Sequence, residues 1–306
     1  IAGVSLTSLG FWLRSRSKKP VSEGIRTLTH NYTVELPAGL PDLVVVSGGE
    51  PDQLVEKALE VYGGIQTFIS SGDKVVLKPN IGWERVPQQA ANTNPDLVKS
   101  VVELCLKAGA VEVIVSDVSC NDPRRCFTRS GIARAAEAAG ATVVMPEERK
   151  FREYRINGEV LSDWPLFTPI IEADKIINMP IVKHHSLTQA TMGMKNWYGI
   201  LGGNRNQLHQ SIDLSIADLA TFLRPTLTIM DAYRVLMANG PTGGSINDVK
   251  TFKTLVAGVD PIAVDAFGAT FLDLNPAQIP YLVIGEQRGL GNINLDQINI
   301  HRVSID

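Results

Sequence analysis

Between Lys175 and Ile212 the chain carries four cations, Lys175, Lys183, Lys195 and Arg205, and no acidic residue; Asp174 and Asp213 bracket the stretch. Four cations against no acid give +4 locally inside a chain of net charge −3. Three of the five histidines, His184, His185 and His209, fall in the same stretch. Glycines 193, 199, 202 and 203 are threaded through it, and a residue without Cβ lets a ligand approach backbone N–H groups closely. Cations, imidazoles and open amides together suit an anion such as a phosphate or a carboxylate. A solvated basic loop docked on an acidic surface is the plainer alternative. Against it, Met192, Met194, Trp197, Tyr198, Ile200 and Leu201 are interleaved with the charges, and such side chains belong in an interior. A partly buried basic segment is therefore expected. In it Lys183, Lys195 and Arg205 would hold the anion, with His185 or His209, and Lys195 beside them, at the reacting centre. Imidazole suits proton transfer because its ordinary pKa of about 6.5 lies near working pH.

Other chemistry-bearing residues stand where strands should end. Strands are predicted at Leu43–Ser47, Lys74–Lys78, Val111–Asp117, Thr142–Met145, Lys175–Met179, Leu227–Asp231 and Thr254–Ala257. Helices are predicted at Pro51–Ser70, Asn94–Ala108, Thr128–Ala139, Ile212–Leu223, Pro261–Leu272 and Pro276–Arg288. Asn94-Pro95 and Asp260-Pro261 each place a capping side chain before a first-turn proline. Short β-rich runs alternating with helices imply an α/β domain, a largely parallel sheet with helices on both faces. Phe151–Phe167 reads as an inserted hairpin that could form a small lobe. In open parallel sheets ligands bind beyond the carboxyl ends of the strands. Lys78 and Asn80, Asp117, Lys183, Asp231, and Asp260 with Asp265 all stand at such ends, as one shared cleft would require. Taken alone, Asp117 and Asp260 read as helix caps or turn formers.

A divalent metal is a further candidate occupant. His184 and His185 are adjacent, so on a strand they face opposite ways and cannot both be ligands. One of them with His209 and Asp231 or Asp265 would build a mixed nitrogen and oxygen site, and His184, Asp231 and Asp265 are the set expected to hold it. Ser186 and Ser211 lack a nucleophile-elbow context, and neither glycine-rich nucleotide motif is present. Gly240-Pro241-Thr242-Gly243-Gly244 has the composition of a ligand-contacting lid or of a surface turn.

Composition limits the classes of function. Hydrophobic residues make up 44% and charged ones 20% of 306 residues, which describes a globule and excludes a disordered chain. With 29 Lys and Arg against 32 Asp and Glu, and only 6% aromatic residues, no nucleic-acid partner is expected. Ile1–Leu13 is uncharged and mildly apolar, and Arg14, Arg16, Lys18 and Lys19 follow it. That is the pattern of the middle and end of a twin-arginine export signal, retained as a membrane anchor. An amphipathic helix packed on the domain or on a partner is the alternative. Residues 1–20 are thus expected to place the protein in the periplasm or on the outer face of the cytoplasmic membrane, with a membrane complex as a candidate partner. Residues 21–42 read as a linker and 43–306 as one domain. Cys105 lies in an apolar run and should be buried; Cys120 and Cys126 flank a turn that would let them meet as a disulfide in an oxidising compartment.

Several motifs taken together resemble the domain-of-unknown-function 362 family over roughly residues 70–300. They are Lys78-Pro79-Asn80, the helix opened by Asn94-Pro95, Lys183-His184-His185, and Thr191 followed by Lys195-Asn196 and Gly199. Arg205 with His209, Asp231, the Gly240-Pro241 turn and Asp260-Pro261-Ile262-Ala263-Val264-Asp265 complete the set. The resemblance implies that His185 fills the family's Lys-x-His position; Lys78, Asn80, Lys183, Asn196 and Arg205, all within these motifs, are the residues expected to bind ligand. It also implies export by the twin-arginine route. Many members carry a ferredoxin-like segment with cysteine-rich motifs; those motifs are not found here, so no intrinsic iron–sulfur cluster is expected. The resemblance brings no established reaction with it.

Overall fold

The computed structural model describes residues 24–306. The export or anchor segment expected at residues 1–20 lies outside the described residues.

Thirteen strands are described: β1 (Arg26–Thr27), β2 (Leu43–Ser47), β3 (Lys74–Pro79), β4 (Glu112–Val115), β5 (Thr142–Val143), β6 (Phe151–Arg155), β7 (Asp163–Phe167), β8 (Lys175–Met179), β9 (Ile181–His185), β10 (Gln189–Thr191), β11 (Leu227–Leu236), β12 (Val249–Gly258) and β13 (Ile300–Ser304). The α-helices are α1 (Pro51–Val61), α2 (Pro95–Lys107), α3 (Pro123–Arg129), α4 (Ile132–Ala138), α5 (Thr168–Ile171), α6 (Gly193–Asn196), α7 (Ile212–Phe222), α8 (Pro261–Thr270) and α9 (Pro280–Gln287).

The central sheet runs in the order β13-β2-β12-β11-β8-β3-β4-β5, with β9 added beside β11 and β10 paired to β9. From β11 to β5 every neighbouring pair is parallel, while β12 runs antiparallel between β11 and β2. The architecture is therefore α/β around a largely parallel sheet. Its strands are apolar on both faces, as a doubly covered sheet requires. On β3, Val76 enters one core while Val75 and Leu77 enter the other; Ile176 and Ile177 divide the same way on β8. One core is closed by α1, α2, α3 and α4, and the opposite one by α7, α8, α9 and the β6–β7 hairpin.

Local chemistry explains where elements start and stop. Asn94 Oδ1 accepts from Asp96 N ahead of α2, and Asp260 Oδ1 accepts from Ile262 N and Ala263 N ahead of α8, so Asp260 is the cap its sequence implies. The helix predicted at Thr128–Ala139 is two helices. Asp122 caps an earlier start at Pro123, and Gly131, with φ at +76°, breaks the helical path between α3 and α4. The expected hairpin is β6 and β7, and it gains a third strand from Arg26–Thr27 within the predicted linker. The strand expected to end at Asp231 continues to Leu236, so Asp231 lies inside β11 and not at its terminus.

Candidate functional site

Beyond the C-terminal ends of β3 and β4, the chain encloses a cavity of about 90 Å³ bounded by β9, β10 and the turn from α6 to Arg205 and His209. Its size admits a few waters or one group the size of a phosphate or carboxylate. Lys78, Asn80, Lys183, His185, Lys195, Asn196, Arg205 and His209 all gather at or directly beneath this cavity.

The floor is a buried ion pair. Lys78 Nζ stands 2.6 Å from Asp117 Oδ1, with the two side chains 0% and 3% exposed. Asp117 Oδ2 accepts from Ile81 N at 2.6 Å, so the carboxylate also anchors the chain leaving β3. Burial lowers the Lys78 pKa and Asp117 opposes the shift, which makes this lysine a neutralised structural cation. Gly199 packs against the pair so closely that a Cβ there would collide with Asp117 Oδ1 and Lys78 Nζ.

A one-way hydrogen-bond relay crosses the site. Lys183 Nζ donates to Asn80 Oδ1 at 3.0 Å, Asn80 Nδ2 to Asn196 Oδ1 at 3.1 Å, and Asn196 Nδ2 to Asn178 Oδ1 at 2.8 Å. Asn178 Nδ2 ends the series on the Gly193 carbonyl at 3.0 Å. A lysine can only donate, and that fixes the orientation of each amide behind it. Burial, with Lys195 and Lys78 adding to it and Asp117 opposing it, pushes the Lys183 pKa down to about 7.

Lys195 differs from the other cations. It is 8% exposed, its ammonium lies 4.8 Å from the Tyr198 ring centroid, and it has no hydrogen-bond or ion-pair partner among the described residues. Burial pushes its pKa down to about 8, with Arg205 adding to the effect. Thr191 lies on the same wall, 4% exposed, and its Oγ1 has no hydrogen-bond partner. An ammonium without an ion-pair partner and an unpaired buried hydroxyl on one cavity wall form an arrangement completed by an acceptor from outside.

The histidines divide as their alternation on β9 requires. His185 faces the cavity, and its Nδ1 accepts from Leu187 N at 3.1 Å and Thr188 N at 3.4 Å. The proton therefore sits on Nε2. Burial and then Lys195 push its pKa down to about 2, so at neutral pH the ring is an uncharged donor. His184 turns the other way, its Nδ1 accepting from Gly240 N at 3.1 Å, and so seats the Gly240-Pro241 turn whose proline reaches the cavity. His209 is exposed on the rim, stacked on Tyr198 at 6.5 Å; burial of its ring and then Lys195 lower its pKa. Arg205 spends its donors inward. Nη1 binds the Val118 and Tyr198 carbonyls at 2.8 and 3.0 Å, and Nη2 binds the Ser119 carbonyl at 2.6 Å. It lends charge to the cavity while clamping residues 118–120.

The expected metal set is not brought together. Asp231 accepts from Asn94 N and Tyr233 N inside β11, and Asp265 accepts from Gly193 N and Met194 N at the start of α6. With His184 committed to Gly240, each is occupied by a different backbone segment, and no group of three or more His, Cys, Asp or Glu suited to a metal forms among the described residues. The three cysteines are free thiols; Cys105 and Cys126 are buried and Cys120 is exposed at the cavity. Sequence reasoning left out Thr191 as a contact, and placed Asp117 at the cleft only as one of several strand-end residues, a cap or turn former when taken alone. A threonine and a strand-end aspartate carry no signal of their own until the fold sets them beside lysines.

These features define an α/β domain with a cationic strand-end pocket. A family model described as domain of unknown function (DUF362) matches residues 75–270, and the chain belongs to that family. The thylakoid-associated protein sll1697 of Synechocystis is 28% identical over 240 residues, covering 76% of this chain and 73% of that protein. Among solved structures, a Thermotoga maritima protein aligns with 74% of this chain and 60% of its own at 10% identity and a TM-score of 0.46. The lactate racemase apoprotein of Thermoanaerobacterium thermosaccharolyticum aligns with 78% of this chain and 58% of its own at 11% identity and a TM-score of 0.42. This chain thus spans about three fifths of each of those two chains.

Proposed function

We propose that this is an exported protein whose strand-end pocket binds a small anion, a carboxylate or a phosphate group. The observation that carries the reading is Lys195, a residue only 8% exposed whose ammonium stands at the cavity with no hydrogen-bond or ion-pair partner among the described residues. In the bound state Lys195 supplies charge and Thr191 Oγ1 and His185 Nε2–H supply hydrogen bonds. Lys183 adds a second positive charge from behind Asn80.

The reading makes binding depend on pH with a definite sign. An anion favours protonated lysines, so affinity is full below about pH 6 and declines as pH rises through the values of Lys183, about 7, and Lys195, about 8. The free protein behaves in the opposite sense. The folded values lie below the ordinary 10.5, so between them the unfolded chain holds more protons and stability rises with pH. Inorganic phosphate is expected to raise the melting temperature near pH 6.5, with about 2.7 kcal/mol of added stability at a concentration of about 100 Kd, and to do little above about pH 9. If phosphate, sulfate and acetate leave the melting temperature unmoved at every pH, the reading falls.

A second reading, from another class, is a non-catalytic subunit held at a membrane through residues 1–20. It is favoured by the name of the Synechocystis relative and by the apolar run followed by Arg14, Arg16, Lys18 and Lys19. No helix among the described residues is long and apolar enough to cross a membrane. Deleting residues 1–20 is expected to move the protein from the membrane fraction to the soluble one. Unchanged fractionation would remove this reading.

A further inference from the structure

Cys120 is the one cysteine of the chain that reaches the cavity wall. Burial pushes the Cys105 thiol up to about 12 and the Cys126 thiol up to about 11, which leaves both inert at neutral pH. Cys120 is exposed and held in place. Its N–H donates to the Gly82 carbonyl at 2.9 Å, the Ser119 carbonyl before it accepts from Arg205 at 2.6 Å, and Arg205 Nη2 also points at its Sγ from 3.4 Å. Lys183 and Lys195 line the same cavity as Cys120. Asp117, the acidic residue of the cavity wall, is already taken by Lys78 and Ile81 N.

A thiol near a guanidinium is by itself ordinary. Here it opens into the same small cavity as Lys195 and Thr191, both more than nine-tenths buried and both without a hydrogen-bond partner. The cavity therefore combines a seat for an anion with a nucleophile at its edge.

We propose that Cys120 is a covalent attachment site selective for anionic electrophiles, that is, molecules with a carboxylate or phosphate group next to a carbon bearing a leaving group. The inference rests on the anion-binding reading above. In the step, the thiol proton leaves to solvent and Sγ bonds to the carbon. The leaving group departs with its bonding pair. The anionic end is held by Lys195 and Thr191 while this happens, which raises the effective concentration of the electrophile at sulfur.

Iodoacetate and its neutral analogue iodoacetamide test the idea, because they differ in charge and share one leaving group, iodide. With the folded full chain, the ratio of iodoacetate to iodoacetamide rates is expected to exceed that of the denatured chain by about tenfold or more. Peptide mass analysis should place the carboxymethyl group on Cys120, and inorganic phosphate should slow its formation. Lys195→Met should bring the ratio back toward that of the denatured chain. Cys120→Ser should abolish labelling yet keep the rise in melting temperature with phosphate, which separates this inference from the binding reading. Equal ratios in folded and denatured protein, or labelling that phosphate does not slow, would overturn it.

Discussion

Lys195→Met should make the free protein more stable and blind to phosphate. The substitution keeps the length and apolar body of the side chain and removes the ammonium. In the free protein that ammonium is an unpaired charge 8% exposed, with its pKa pushed from 10.5 down to about 8. A depression of that size corresponds to a burden on the order of 3 kcal/mol at neutral pH, so its removal should raise the melting temperature measured by calorimetry. The stabilisation by phosphate should disappear at the same time. Opposite changes in stability and binding are the mark of a group kept for its ligand. A variant that is both less stable and still stabilised by phosphate would show that Lys195 serves the fold.

Gly199→Ala should be among the most damaging single-methyl changes the chain can suffer. The added carbon would occupy the space of Asp117 Oδ1 and Lys78 Nζ, both buried. The Gly199 carbonyl also accepts from Val118 N at 2.8 Å, so the backbone cannot withdraw without letting go of the loop after β4. Separating a buried ion pair leaves uncompensated charge and costs about 3 to 5 kcal/mol. Chemical denaturation should register a loss of that order, and phosphate binding should weaken because Asp117 also positions the start of the loop at Ile81. Wild-type stability in this variant would mean that the Lys78–Asp117 contact contributes little.

The sheet was legible because its strands are apolar runs bounded by turn residues; β2 and β8 fall on their predicted limits. Both exposed and buried cations of the 175–212 segment were legible as charge, yet their division of labour was not. Lys183, Lys195 and Arg205 read alike in sequence. In three dimensions Lys183 heads a relay, Arg205 clamps carbonyls and Lys195 stands alone, and only distances separate those roles. Asp231 and Asp265 looked like metal ligands because carboxylates combined with a histidine make a mixed nitrogen and oxygen site. Their oxygens instead serve amides of α2 and α6 across large sequence separations, a use that no local pattern announces. Periodicity missed the break at Gly131 because α3 and α4 both have helical composition on either side of it.

The row of amides from Asn80 to Asn178 has a polarity decided at one end. Since Lys183 gives protons and takes none, each carboxamide behind it must turn its oxygen toward the lysine and its nitrogen away. Conversion of Asn196 to an aspartate would set two oxygens face to face at Asn178 and would leave the Lys78 carbonyl without the proton it now receives at 3.1 Å. Like dominoes standing in file, these side chains admit one sense of fall, and deamidation of Asn196 would break the file.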